Sequence, residues 1–144
     1  MKIWFDMDGT IADLYGVQDW LTAIINRETR PYAEAKGIGN LAHIARLLNK
    51  AQASGHEIGI ISWTAKNGTA EYNKAVAEVK KAWLAKHLPS VTWNIIKVVA
   101  YGTNKKTACE NGILFDDEEP NRKTWGEGAY EPKDITKVLK ELTR

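Results

Sequence analysis

Two carboxylates separated by one residue, then a glycine and a hydroxyl, follow directly on a short apolar run: Ile3-Trp4-Phe5 leads into Asp6-Met7-Asp8-Gly9-Thr10. If the extended backbone persists through Asp8, both carboxylates lean to one side, and Gly9 lets the chain turn sharply. Carboxylates brought that close repel unless something positive lies between them. A hard cation such as Mg²⁺, which takes oxygen ligands and keeps some waters, is the simplest relief. Asp and Gly also occur in ordinary turns, but an exposed acidic pair directly behind an apolar strand has no packing reason to exist.

Three further polar clusters stand behind apolar runs. Ile58 to Ile61 ends in Ser62-Trp63-Thr64, the run from Trp93 to Val99 is followed by a turn and Lys105-Lys106, and Ile113-Leu114-Phe115 stops at Asp116-Asp117. Acid, hydroxyl, amine, acid is the set that a phosphate on Mg²⁺ requires. The carboxylates serve the metal, and a donor and a cation serve the phosphoryl oxygens. Glu118 and Glu119 extend the acidic run into a cation-attracting field or a plain surface loop.

The elements that must hold these clusters follow from periodicity. Val17, Leu21, Ile24 and Ile25 predict a helix over 17–28, closed by Pro31, and 32–39 reads as a loop with two glycines. Asn40 caps a helix that carries Leu41, Ile44, Leu48 and Ala51 and stops at Ser54-Gly55. The run 57–62 is continuously apolar, as in a strand buried on both faces of a parallel sheet. A long helix over 69–87 presents Tyr72, Val76, Val79 and Trp83 as its apolar stripe, with Lys74, Lys80, Lys81 and Lys86 assigned to a solvated face. Then come a strand over 91–100, a short helix capped by Asn104, a strand over 113–115 and a polar loop over 118–128. Ala129-Tyr130 adds an edge strand, and Asp134 caps a last helix with Ile135, Val138, Leu139 and Leu142. Alternating strands and helices predict an α/β fold with a mostly parallel sheet and right-handed crossovers. In such sheets ligands bind outside the carboxyl ends of the strands, where all four clusters fall.

Composition bounds the rest. A chain of 144 residues suits one domain over 1–144, and a net charge of +2 is too small to argue for nucleic acid or membrane by itself. Cys109 is the sole cysteine, which excludes an intramolecular disulfide and a Cys-based zinc site; it reads as a small buried helix residue. His43, His56 and His87 are scattered without metal-ligand spacing. No stretch approaches the roughly 18 apolar residues of a membrane span, and no apolar leader core is visible, so a cytoplasmic location is expected.

The strand followed by Asp-x-Asp-Gly-Thr closely resembles the first motif of the haloacid dehalogenase-like (HAD) superfamily of phosphotransferases. The four clusters, in this order on this succession of strands, resemble its four motifs along nearly the whole chain. The resemblance implies a three-layer Rossmannoid fold and an Mg²⁺-dependent phosphomonoester hydrolase. Asp6 would be the nucleophile that forms an aspartyl-phosphate, and Asp8 would protonate the leaving oxygen and then deprotonate the attacking water. Thr10 would support the turn beside the substrate, and Ser62 would donate to the phosphoryl group. Lys105 would balance the charge of Asp6 and the phosphate; it is preferred to Lys106 because it comes first in its helix, where the positive helix end also faces an anion. The Asp6 carboxylate, the Asp8 backbone carbonyl, Asp116 and Asp117 would hold Mg²⁺. Asp116 is the expected direct ligand, with Asp117 acting through water or orienting Lys105.

Larger members of the superfamily carry a cap domain that selects the substrate. Residues 13–55 leave room for only a helix or two, so a minimal cap or none, and an open site, are expected. Such a site suits a protein or a nucleic-acid end, or a small substrate covered by another subunit of a homo-oligomer. Residues 113–125 are also similar, more loosely, to the 5'(3')-deoxyribonucleotidase-like members, through Asp116-Asp117 and the following Asn121 and Trp125. Trp63 and Tyr101, with Thr64 beside them, stand where they could stack on a base; strand-end packing explains them equally. Competing functions are a phosphatase for proteins or other metabolites, a noncatalytic HAD-like binding module, and a receiver-like phosphoacceptor.

Overall fold

The computed structural model describes residues 1–144. The chain opens with β1 (Lys2–Phe5), followed by β2 (Ala12–Asp13), α1 (Trp20–Ile25), α2 (Arg30–Glu34) and β3 (Lys36–Gly37). It continues with α3 (Leu41–Ala53), β4 (Glu57–Trp63), α4 (Ala70–His87), β5 (Ile95–Val99) and α5 (Lys105–Cys109). The last elements are β6 (Ile113–Phe115), α6 (Glu119–Trp125), β7 (Ala129–Tyr130) and α7 (Ile135–Leu142). Five parallel strands form one sheet in the order β5-β4-β1-β6-β7.

Period-2 alternation divides the sheet into two faces. Ile3, Phe5, Ile58, Ile60 and Phe115 pack with α3, α4 and α7 around Leu48, Leu84 and Leu139. Trp4, Ile61 and Leu114 face the other way, onto Cys109 of α5 and Trp125 of α6. The result is a three-layer α/β fold. Gly59 is needed for this packing, because a Cβ there would lie 2.7 Å from the Trp4 ring. No helix is long and apolar enough to cross a membrane.

Several elements differ from those expected. Pro31 opens α2 instead of closing the helix before it; its missing N–H falls among donors that a first helical turn leaves unpaired anyway. The helix expected over 17–28 shrinks to α1, leaving Leu21 and Ile25 exposed. Within the expected loop 32–39, β3 pairs antiparallel with β2. The polar loop 118–128 contains α6, and the strand expected over 91–100 narrows to β5. There the Asn94 side chain accepts the Ile58 N–H at 2.8 Å, replacing a ladder bond.

Residues 14–34 carry the two short helices α1 and α2 and form a small lobe. Leu14, Ile24 and Tyr32 pack on Tyr72 and Val76 of α4.

Candidate active site

The order of the sheet places the site. From β1 the chain moves outward through β4 to β5, then returns past β1 to β6, so the switch point lies between β1 and β6. Phe5 is in register with Phe115, and the next residue on each strand is an aspartate. Asp6 and Asp116 therefore emerge side by side. Lys105, at the start of α5, reaches between them: Nζ lies 2.9 Å from Asp6 Oδ1 and 2.7 Å from Asp116 Oδ2. All three groups are buried. Burial pulls the Lys105 ammonium down, and the Asp6 and Asp116 charges more than reverse it, so its pKa is raised. Lys106 points elsewhere, with Nζ 4.8 Å from the Trp125 ring centroid.

Gly9 and Thr10 build the turn that joins Asp117 to this group. Gly9 has φ +83°, and a Cβ there would lie 2.3 Å from Asp117 Oδ2, so the position needs a glycine twice over. The Thr10 hydroxyl lies 3.0 Å from Asp6 Oδ2 and 3.2 Å from Asp117 Oδ1, and it accepts the Asp117 N–H. Thr10 is buried and committed to these acids, so it supports the turn and does not face a substrate.

Carboxylate oxygens of Asp6, Asp116 and Asp117 lie within 4.8 Å of one another. An all-oxygen donor set of this kind fits a hard divalent cation such as Mg²⁺. Protonation behaviour points the same way. Burial, then the Asp6 carboxylate, then Asp116 push Asp117 up to about 8. Burial and Asp6 raise Asp116 despite Lys105, and burial with Asp116 and Asp6 raises Glu118. The cluster carries more negative charge than one lysine offsets. Asp117 does not orient Lys105; Asp116 does, and Asn121 donates to Asp116 Oδ2 at 3.2 Å.

Asp8 turns away from the three acids. Its Oδ2 pairs at 2.9 Å with Lys80 of α4, a residue expected on a solvated face but only 1% exposed. The same ammonium donates to Ser62 Oγ at 2.7 Å and to the Trp63 carbonyl at 2.8 Å. The signal was present in the spacing. Tyr72, Val76, Lys80 and Leu84 recur every four residues, and all are buried, so Lys80 lies on the apolar stripe itself.

A cavity of about 610 Å³ opens over Asp6, Asp8 and Lys105. The lobe supplies Tyr15, Trp20, Ile24 and Tyr32 to one wall, and Trp63 with Tyr101 forms another, their rings 5.0 Å apart. Thr64 lines the cavity as well, and its buried Oγ1 has no hydrogen-bond partner. Tyr15, Leu21, Ile25 and Tyr101, four of the five large exposed apolar side chains, are in this lining.

No protein-family model and no curated protein matches the sequence. Among solved structures, the chain is similar to D,D-heptose 1,7-bisphosphate phosphatase from Burkholderia thailandensis. The TM-score is 0.54 at 11% identity, covering 97% of this chain and 96% of that one. The fold is HAD-like. At that identity the likeness speaks for the fold alone, and the chemistry rests on the residues above.

Proposed function

We propose that this chain, as a single domain, is an Mg²⁺-dependent phosphomonoester hydrolase that works through an aspartyl-phosphate on Asp6. The observation that carries this reading is the buried Asp6–Lys105–Asp116 arrangement at the sheet's switch point, with Asp117 beside it and a cavity above. An Asp6 oxygen attacks phosphorus, the bond to the leaving oxygen breaks, and Asp8 gives that oxygen its proton. Water then attacks phosphorus as Asp8 takes a proton back, releasing phosphate and restoring the Asp6 carboxylate. Lys105 holds Asp6 in place and offsets the charge brought by the phosphoryl group. Ser62 donates its hydroxyl proton to a phosphoryl oxygen, and Thr64, whose hydroxyl has no protein partner, offers a second donor. Asp6, Asp116 and Asp117, with the Asp8 backbone carbonyl, would hold Mg²⁺, which supplies charge neutralisation at the phosphoryl oxygens.

For the leaving group, the aromatic lining favours a nucleotide or a nucleic-acid end, with Trp63 and Tyr101 stacking on a base. Phosphate release from p-nitrophenyl phosphate and a panel of nucleotides, with and without Mg²⁺, tests the reading. Turnover should require Mg²⁺ and vanish in Asp6→Asn. A wild-type protein inert on every phosphomonoester, or an Asp6→Asn variant as active as wild type, contradicts it.

A further inference from the structure

Lys80 belongs to none of the four strand-end clusters, yet its ammonium is buried where Asp8 and Ser62 meet. An ammonium has three protons, and three acceptors within 2.9 Å take them: Asp8 Oδ2, Ser62 Oγ and the Trp63 carbonyl. The Tyr32 ring, from the lobe, lies 5.1 Å from Nζ and covers it. With every proton committed and 1% of its surface exposed, Lys80 does not meet a substrate itself.

What Lys80 touches are the two groups that handle protons in the proposed reaction. Ser62 Oγ accepts from Lys80 and its own O–H donates to no protein group, which leaves that proton for an acceptor brought to the site. Asp8 is held by Oδ2 alone, which leaves Oδ1 without a protein partner. The two neighbouring aspartates thus have separate ammonium partners, Lys105 for Asp6 and Lys80 for Asp8.

We propose that Lys80 is a positioning residue: it fixes which oxygen of Asp8 faces the leaving group and turns the Ser62 proton toward the phosphoryl oxygens. The proposal rests on the phosphatase reading above. A leaving group that needs a proton depends on Asp8, whereas p-nitrophenolate departs without one. Lys80→Met should therefore lower kcat/KM for an alkyl phosphomonoester by about 100-fold or more, the range of general acid catalysis, and that for p-nitrophenyl phosphate by no more than about tenfold.

The test compares wild type, Lys80→Met, Asp8→Asn and the double variant on both esters, with thermal unfolding as the check on folding. The double variant strands no charge, so it folds even if Lys80→Met is weakened. If Lys80 acts through Asp8, adding Lys80→Met to Asp8→Asn leaves the ratio of the two kcat/KM values unchanged. Equal losses on both esters, or a further change in that ratio in the double variant, overturn the positioning role while the phosphatase reading stands. A wild type that hydrolyses neither ester overturns that reading, and with it the catalytic part of this proposal.

Discussion

Lys105→Met removes the one cation between Asp6 and Asp116 and leaves two carboxylates buried without compensation. The Lys105 and Asp116 side chains are 3% and 0% exposed and that of Asp6 is 10%, so solvent screening does little to reduce the effect. Removing one partner of a buried ion pair costs about 3–5 kcal/mol. Asp6 or Asp116 can relieve the repulsion by binding a proton, which argues for the lower end, about 3 kcal/mol. For 144 residues the unfolding entropy is roughly 0.3 kcal/mol/K, so the expected fall in Tm is about 10 °C. Mg²⁺ should restore part of that loss, because it brings a cation back to the same acids. Thermal unfolding followed by circular dichroism, with and without Mg²⁺, reads both effects. Lys106→Met, whose ammonium lies over Trp125, is the control. A fall below about 3 °C, or an equal fall for Lys106→Met, refutes the argument that the site's charge balance depends on Lys105.

Other outcomes follow from the same geometry. Gly9→Ala forces a Cβ against Asp117 at a positive φ; it should cost about 1–3 kcal/mol in denaturant unfolding and weaken Mg²⁺ binding measured by calorimetry. Asp117 is raised to about 8 in the folded protein, so the metal-free fold keeps a proton that the unfolded chain releases near pH 4. The stability of the metal-free protein should therefore fall as pH rises from about 4 to about 8 and level off above, a slope that Asp117→Asn flattens. Tyr101→Ala removes an exposed ring from the cavity wall; it should raise KM for a nucleotide by about five- to tenfold with kcat nearly unchanged.

What could be read from the chain depended on where each signal lies. Asp6, Ser62 and Asp116 stand at the ends of continuous apolar strands, and parallel pairing turns that sequence position into spatial proximity. The helices α3 and α7 carry plain amphipathic stripes and begin directly after the expected caps, Asn40 and Asp134. Lys80 was missed because charge outweighed spacing: a lysine on an apolar stripe reads as a solvated residue until its partners are known, and both partners are distant in sequence. The lobe was blurred for a different reason. Its helices have five or six residues each, too short for a periodic signal, and they are held by Leu14, Ile24 and Tyr32 packing on α4. The contacts of Thr10 were not legible either, because it is the Gly9 turn that folds its hydroxyl back onto Asp6 and Asp117.

The most direct test of the account asks whether the phosphoryl group passes through Asp6. Wild-type protein mixed with Mg²⁺ and a ³²P-labelled phosphomonoester that it hydrolyses, then quenched in acid within one turnover, should carry label that hydroxylamine removes. Borohydride reduction should place that label on Asp6, and Asp6→Asn should carry none. Phosphate release in a single turnover without labelled protein, or label on a residue other than Asp6, would contradict the account.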